Sequence, residues 1–327
     1  MTDGAARRAF AGLLDFDAEA EVERIVAALP ETIHRTLGRR GAVVGVSGGV
    51  DSGVVIALCV RALGPERVFA ILSPERDSAG DTLDLSRLVV DEAGCPWVQE
   101  ELTAVLEAFG CYRRRDEIAA SLIPGYTPEW RMKIVLPPVL DGPRISFFTL
   151  VAESPEGEQV SKRLPAEAYR ALVAATNFKQ RARKTLEYHH ADRLGYAVAG
   201  TPNRLEHDQG FFVKNGDGSA DVKPIAHLYK TQVYALADVL GLPEEIRSRV
   251  PTTDTYSLPQ TQEEFYYSVP IATLDLCLYA VDNGIPADTV AEVAGLDTAA
   301  VTTVFDDIAA KRRAGEYLHL RPVLLDS

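Results

Sequence analysis

Residues 41–53, GAVVGVSGGVDSG, constrain this chain more than any other stretch. GAVVGV (41–46) is a short, apolar, β-branched run, the pattern of a strand buried on both faces of a parallel sheet. VVIALCVRAL (54–63) reads as a helix. The turn between them begins at Gly45 and offers consecutive backbone N–H groups from Ser47 to Ser52, followed by a helix N-terminus. That combination is an anion cradle. Gly48 and Gly49 let the backbone approach a phosphate with no Cβ in the way, and Ser47 and Ser52 can donate hydroxyls. Asp51 would repel a phosphate unless a divalent cation lies between them, so a magnesium ligand is its natural role. No G-K-[ST] follows, which excludes a Walker loop.

The rhythm around the loop predicts the fold. RVFAILS (67–73) and PWVQEEL (96–102) read as further strands, with a helix over 81–94 between them. Strand–helix alternation of this kind implies a parallel sheet with right-handed crossovers. Upstream, residues 16–39 carry apolar residues at helical spacing, interrupted at Pro30. Downstream, 167–193 reads as a helix, LGYAVAGT (194–201) as a strand and YKTQVYALADVLG (229–241) as an amphipathic helix closed by Gly241. The remainder reads as helices over 261–283, 286–295 and 297–317. Residues 112–166, rich in proline and with a hairpin signal at Asp141-Gly142, break the pattern and read as a β-rich insertion. The expectation is one doubly wound, Rossmann-like α/β domain over 1–327, with a helical C-terminal part and an insertion at 112–166.

Charge limits the partners. The chain has 34 Lys and Arg against 47 Asp and Glu, a formal net charge of -13. Broad nucleic-acid binding needs clustered cations, so the acidic balance argues against that class, while leaving room for a small basic pocket for nucleotide phosphates. No apolar run reaches membrane-spanning length, and the start carries no signal-peptide pattern. The four cysteines, Cys59, Cys95, Cys111 and Cys277, form no C-x-x-C pair, which argues against a zinc or iron–sulfur site and suggests reduced thiols of a cytoplasmic protein.

The second informative stretch is GTPNRLEHDQGFFVKNGDGSADVKPIAHLYKTQ (200–232). It follows a predicted strand, and ligands of a doubly wound sheet lie at the carboxyl ends of its strands. Thr201 is delivered at that edge, and Glu206, close behind, offers a second carboxylate beside Asp51. Lys214 and Asp221 flank the Gly-Asp-Gly turn, and Lys230 opens the next helix. His207, next to Glu206, is either a proton carrier or a structural histidine.

The 45–53 loop resembles the pyrophosphate loop of enzymes that split ATP between its α- and β-phosphates. The 200–232 stretch resembles the NAD synthetase signature G-T-x-N-x-x-E, K-x-G-D-G-x-x-D-x-x-P, L-x-K-T-Q-V. The likeness extends to NFKQRAR (177–183), LADVLGLPEEI, PTTDTY (251–256) and QTQEEFYYS (260–268), and covers about two-thirds of the chain. The resemblance implies an adenine nucleotide alpha hydrolase-like fold and an ammonia-dependent, ATP-using amide synthase. In such an enzyme the nicotinate carboxylate of deamido-NAD is adenylated, then attacked by ammonia to give NAD, AMP and pyrophosphate. By position, Asp51 and Glu206 would hold magnesium. Thr201, Lys230 and Thr252 would contact ATP. Arg181, Lys214, Asp221 and His319 would face the dinucleotide. It also implies a homodimer, with ammonia taken free or from a separate amidotransferase. Three features depart from the pattern: the 112–166 excursion, Gln180 in place of alanine, and Leu320 in place of the lysine after His319. All three fall on the substrate side. They leave open a second reading, an amide ligase of this lineage acting on another carboxylate in a specialised pathway.

Overall fold

The computed structural model describes residues 3–137, 147–253 and 255–325. Seven strands are present among them: β1 (Ala42–Gly45), β2 (Val68–Leu72), β3 (Trp97–Gln99), β4 (Arg131–Val135), β5 (Thr149–Glu153), β6 (Gln159–Arg163) and β7 (Ala197–Ala199). They form two sheets, a four-stranded one ordered β3-β2-β1-β7 and a three-stranded one ordered β4-β5-β6.

The larger sheet is parallel throughout, with Val43 opposite Phe69 on one side and Val198 on the other. Its strands alternate between two buried faces. Ala42, Val44, Val68, Ala70, Leu72 and Ala199 point into one core, with Val54, Val55 and Leu58 of helix Val50–Leu63, Val22 and Ile25 of helix Ala18–Pro30, and Val233 and Leu236 of helix Lys230–Val239. Val43, Ile71 and Val198 point the other way, onto Ala191 of the long helix Ala166–Leu194. Helices on both faces explain why these strands carry almost no polar residue. The doubly wound expectation is met, and a second core of C-terminal helices surrounds Leu274, Leu278, Val301 and Ile308.

Two readings need correction. Residues Cys111–Leu122 form a helix, not part of a β-rich excursion. Cys111, Tyr112, Arg115 and Ala119 make its buried stripe; the run of arginines between them hid the helical period. The antiparallel sheet occupies only 131–163, packing Met132, Ile134, Leu150 and Ala152 against Ala119, Ile123 and Leu172. The hairpin expected at Asp141-Gly142 lies outside the described residues. The single helix expected over 261–283 is broken: Glu263–Tyr267 is a π-turn, Ser268 takes φ 58°, and a new helix starts at Ile271 after Pro270. Proline supplies no backbone donor and sets the first turn of the next helix instead. At Pro30 the helix runs on, but its hydrogen bonding widens to a π-helix over Glu31–Thr36.

Candidate active site

A cavity of about 730 Å³ opens at the carboxyl ends of β1 and β7. These strands are adjacent, yet the chain after β1 goes on to β2 on one side, while the chain after β7 bridges Val222 to Ala199 on the other. That is the switch point at which doubly wound sheets bind ligands. Gly45, Ser47, Gly49, Asp51 and Ser52 line one wall, Thr201, Glu206 and Lys230 another, and Thr252, Arg181 and Lys214 the rim.

The loop has the geometry of a cradle. Gly49 caps helix Val50–Leu63 with no side-chain hydrogen bond, which leaves the first helical amides for a ligand. Ser52 Oγ donates to the Gly49 carbonyl at 3.0 Å and accepts from Ser47 N at 3.2 Å, closing the turn. Gly48 has φ +71°, and a Cβ there would stand 2.8 Å from Leu85 Cβ. It supports the turn from behind and does not line the cavity.

Asp51 faces Glu206 across Asn203. Asn203 Nδ2 donates to Asp51 Oδ1 at 3.0 Å, and Asn203 N donates to Glu206 Oε2 at 3.1 Å. Asn203 Oδ1 accepts in turn from Glu206 N at 3.2 Å, so a capping box on helix Arg204–Gln209 carries the second carboxylate. Gln262 Nε2 donates to Glu206 Oε1 at 3.1 Å. The ammonium of Lys230, almost wholly buried, bonds Asp51 Oδ2. Burial, and next the Asp51 charge, push the Glu206 carboxyl up to about 8. For Lys230 burial opposes the charge, but Asp51 and Glu206 outweigh it and raise its pKa.

The remaining expected residues are placed as follows. Arg181 Nε donates to the Lys214 carbonyl at 3.3 Å, and Lys214 Nζ donates to the carbonyls of Tyr317 and Leu320 at 2.8 and 3.3 Å. Lys214 therefore ties the cavity rim to the end of helix Thr298–His319. Asp221 lies outside the cavity lining; its carboxylate accepts from Val198 N at 2.8 Å and from the Tyr188 hydroxyl at 3.3 Å. His319 and Leu320 line a separate, shallower depression with Arg204, His207 and Arg312. His207 packs between Phe212 and His319, its Nδ1 buried without a hydrogen-bond partner among the described residues; burial, then the Lys223 charge, lower its pKa to about 4. It lies outside the lining of the main cavity.

Sequence reasoning quoted Asn203 without giving it a role, although an Asn three residues before a Glu at a helix start signals a capping box. It also passed over Lys179, whose buried ammonium donates to Glu75 Oε1 at 2.9 Å, Asp77 Oδ2 at 2.7 Å and the Thr255 carbonyl at 3.0 Å. Gln262 and the pair Lys184 and Glu187 had no signal of their own.

Comparison with known proteins places the chain in a family. A family model described as NAD synthase matches residues 21–134 and 155–313. An NH(3)-dependent NAD(+) synthetase from Rhizobium meliloti (strain 1021) is 56% identical over 315 residues, covering 96% of this chain and 94% of that protein. One of the same description from Mesorhizobium japonicum is 54% identical over 312 residues, covering 95% and 98%. Among solved structures, NH3-dependent NAD synthetase from Campylobacter jejuni, in complex with the nitrate ion, superposes with TM-score 0.62 at 22% identity, covering 95% of this chain and 100% of that one. NMN synthetase from Francisella tularensis gives TM-score 0.65 at 18% identity over 96% and 100%. At such identities the structural likeness speaks for the fold.

Proposed function

Because the chain belongs to the NAD synthase family, we propose that it is an ammonia-dependent NAD synthetase, joining ammonia to the nicotinate carboxylate of deamido-NAD at the expense of ATP. The observation that carries this reading is the cluster at the loop: two carboxylates bridged by Asn203, with a buried lysine against one of them, where helix amides are free.

The work divides along the cavity. The loop amides, Ser47 and Ser52 hold the β- and γ-phosphates, with Thr201 and Thr252 against ATP. A substrate carboxylate oxygen attacks the α-phosphorus, the bond to the bridging oxygen of pyrophosphate breaks, and an acyl-adenylate remains. Lys230 faces the negative charge that develops on the leaving pyrophosphate, a preorganised counter-charge in a largely buried place. Ammonia then attacks the acyl carbon and AMP departs. Holding two anions in line is itself a large part of the acceleration. No protein nucleophile is required.

Asp51 and Glu206 fit a magnesium ion: both are hard oxygen donors beside a phosphate cradle, and Asn203 holds them facing one another. Bound by them, magnesium would neutralise phosphate oxygens during transfer. Arg181 and Lys214 belong to the dinucleotide side. Asp221 acts there through β7, whose Val198 amide it holds, and His319 from the neighbouring depression. A homodimer and a cytoplasmic location complete the proposal. All four cysteines are buried and unbridged, and among the described residues no helix is long and apolar enough to cross a membrane.

The test is direct. Purified protein given ATP, magnesium, ammonium and deamido-NAD is expected to yield NAD, AMP and pyrophosphate in equal amounts. Absence of both NAD and AMP would overturn the reading, and AMP formed only with another carboxylic acid would replace its substrate.

A further inference from the structure

The antiparallel sheet leaves one edge of β4 open. Within the sheet, β4 is flanked by β5 alone. The backbone groups on its other side need partners from elsewhere. Residues 257–264 supply them, at every second residue of the strand line. Met132 N donates to Ser257 Oγ at 2.9 Å, and Met132 O accepts from Leu258 N at 3.0 Å. The Ile134 carbonyl accepts from Gln260 Nε2, and Leu136 N donates to the Glu264 carbonyl at 3.1 Å. Lys133 Nζ adds a bond to the Pro259 carbonyl at 3.2 Å. Tyr256 shares the core of this sheet with Met132 and Ile134, and Phe265 packs on it.

The segment held in this way holds another. Thr253 N donates to the Gln260 carbonyl at 3.0 Å, Gln262 N donates to the Pro251 carbonyl at 3.0 Å, and Thr252 bridges Thr261 in antiparallel fashion. Residues 251–253 line the main cavity, as does Gln262, whereas Ser257, Gln260 and β4 do not. Gln260, at 2% exposure, is the hub: its side chain is fixed on β4 and its carbonyl fixes the cavity wall. At the far end of the relay, Gln262 Nε2 donates to Glu206 Oε1. None of 251–253 or 255–260 belongs to a helix or a strand. Such backbone has no ladder of its own, and fixing each residue costs conformational entropy. Without β4 that cost would fall on the ligand, because apparent affinity drops with the fraction of molecules in which the wall is formed. β5, which holds β4 from the other side, falls between the two stretches that match the family model.

Resting on the function proposed above, we infer that the antiparallel sheet preorganises the ATP-facing wall of the active site. Its β4 edge clasps 257–264, and Ser257, Gln260 and Lys133 are positioning residues that act through this clasp on Thr252 and Gln262. The wall stands formed before nucleotide arrives. The insertion thus serves the ATP side of the reaction, not the substrate side on which its departure from the family pattern had set it.

Hydrogen exchange of single amides and calorimetric titration of ATP, both on the full chain, test this. The variant Ser257→Ala, Gln260→Met removes two side-chain clasps at nearly constant volume. Lys133→Met is a milder variant that keeps the test open should the double variant fail to fold, and Ser257→Thr, which keeps a hydroxyl, is the conservative control. Each clasp is worth about fivefold. Without nucleotide, the amides of Thr253, Leu258 and Gln262 should exchange at least about tenfold faster in the double variant and about fivefold faster in Lys133→Met. The amides of Val43 and Val44 in β1 should keep their wild-type protection, and saturating ATP should restore slow exchange at the other three. ATP should bind about five- to tenfold more weakly to the double variant and about threefold more weakly to Lys133→Met, with the KM for ATP raised by the same factor and kcat within about twofold. The KM for ammonium should not move, and Ser257→Thr should behave as wild type. The inference is overturned if the three amides exchange as in wild type, if β1 loosens equally, or if the folded variants bind ATP as tightly as wild type. Wild type in parallel separates the two claims. No NAD from wild type refutes the proposed function, whereas normal NAD synthesis beside variants with unchanged ATP affinity refutes only the role of the sheet.

Discussion

Asn203 shows how one side chain can serve both the fold and the chemistry. Its carbonyl oxygen and backbone amide make the capping box, while its Nδ2 restrains Asp51. Asn203→Ala should therefore have two separable effects. Loss of the cap costs about 1 kcal/mol of stability, read as a lower denaturation midpoint. Loss of the bridge frees Asp51 from its place opposite Glu206 and is expected to cut kcat/KM by about 10- to 100-fold, the range seen when partners of metal ligands are removed. Asn203→Asp keeps the cap acceptor but buries a third negative charge between two carboxylates and turns the donor to Asp51 into an acceptor; it should restore neither stability nor activity. If Asn203→Asp is as active as wild type, the bridge has no catalytic role. At this scale the sequence was legible where chemistry dictates residue type. Asp51, Glu206 and Lys230 were identified beforehand and do converge. Lys184 and Glu187 were not, because a helix surface carries many i, i+3 charge pairs and only packing decides which are buried.

At the scale of elements, strands and crossovers were readable because burial on both faces writes a continuous apolar run, whereas Cys111–Leu122 was not. Its buried stripe includes Arg115, whose guanidinium pairs with Asp77 and Asp116. An arginine in the core defeats a reading based on hydrophobic period. The same network ties together three elements around the cavity: the loop after β2 through Glu75 and Asp77, the long helix through Lys179, and the 251–256 loop through the Thr255 carbonyl. Lys179→Met would leave two buried carboxylates short of their cation, and a loss of about 3–5 kcal/mol is expected, measured by chemical denaturation. The network also has a pH signature. Burial would raise the Asp77 carboxyl, but Lys179 and Arg115 hold it below its usual 3.8. The unfolded chain thus takes up a proton near pH 3.8 that the folded protein still refuses. Stability conferred by this group is complete above that pH and is lost as pH falls through the lower, folded value. Asp77→Asn should flatten the acid limb of the stability curve; an unchanged limb would show that other carboxylates govern it.

At the scale of the whole molecule, the core of the parallel sheet and the core of the C-terminal helices meet at the reactive centre. The first turn of helix Lys230–Val239 carries the site lysine, and the helix packs with Val233 and Leu236 in the sheet core. Its opening amides, however, are held from the other core: Lys230 N and Thr231 N donate to Asp275 at 3.3 and 2.8 Å, and Asp275 belongs to helix Ile271–Asn283 of the C-terminal bundle. The position of Lys230 therefore depends on both units being docked, which no local motif in the sequence could announce. ATP bound against Lys230 and the loop should stabilise the molecule as one body. At 100 times its Kd it adds about 2.7 kcal/mol, a rise in Tm on the order of 5 °C for a chain of this size. Asp275→Ala removes a helix cap worth about 1 kcal/mol and uncouples the lysine from the bundle. The expected result is a modest fall in the ligand-free Tm with more than half of the ATP-induced rise abolished. A full ATP-induced rise in that variant would mean that the sheet core alone positions Lys230, and that the C-terminal helices serve something other than the nucleotide site.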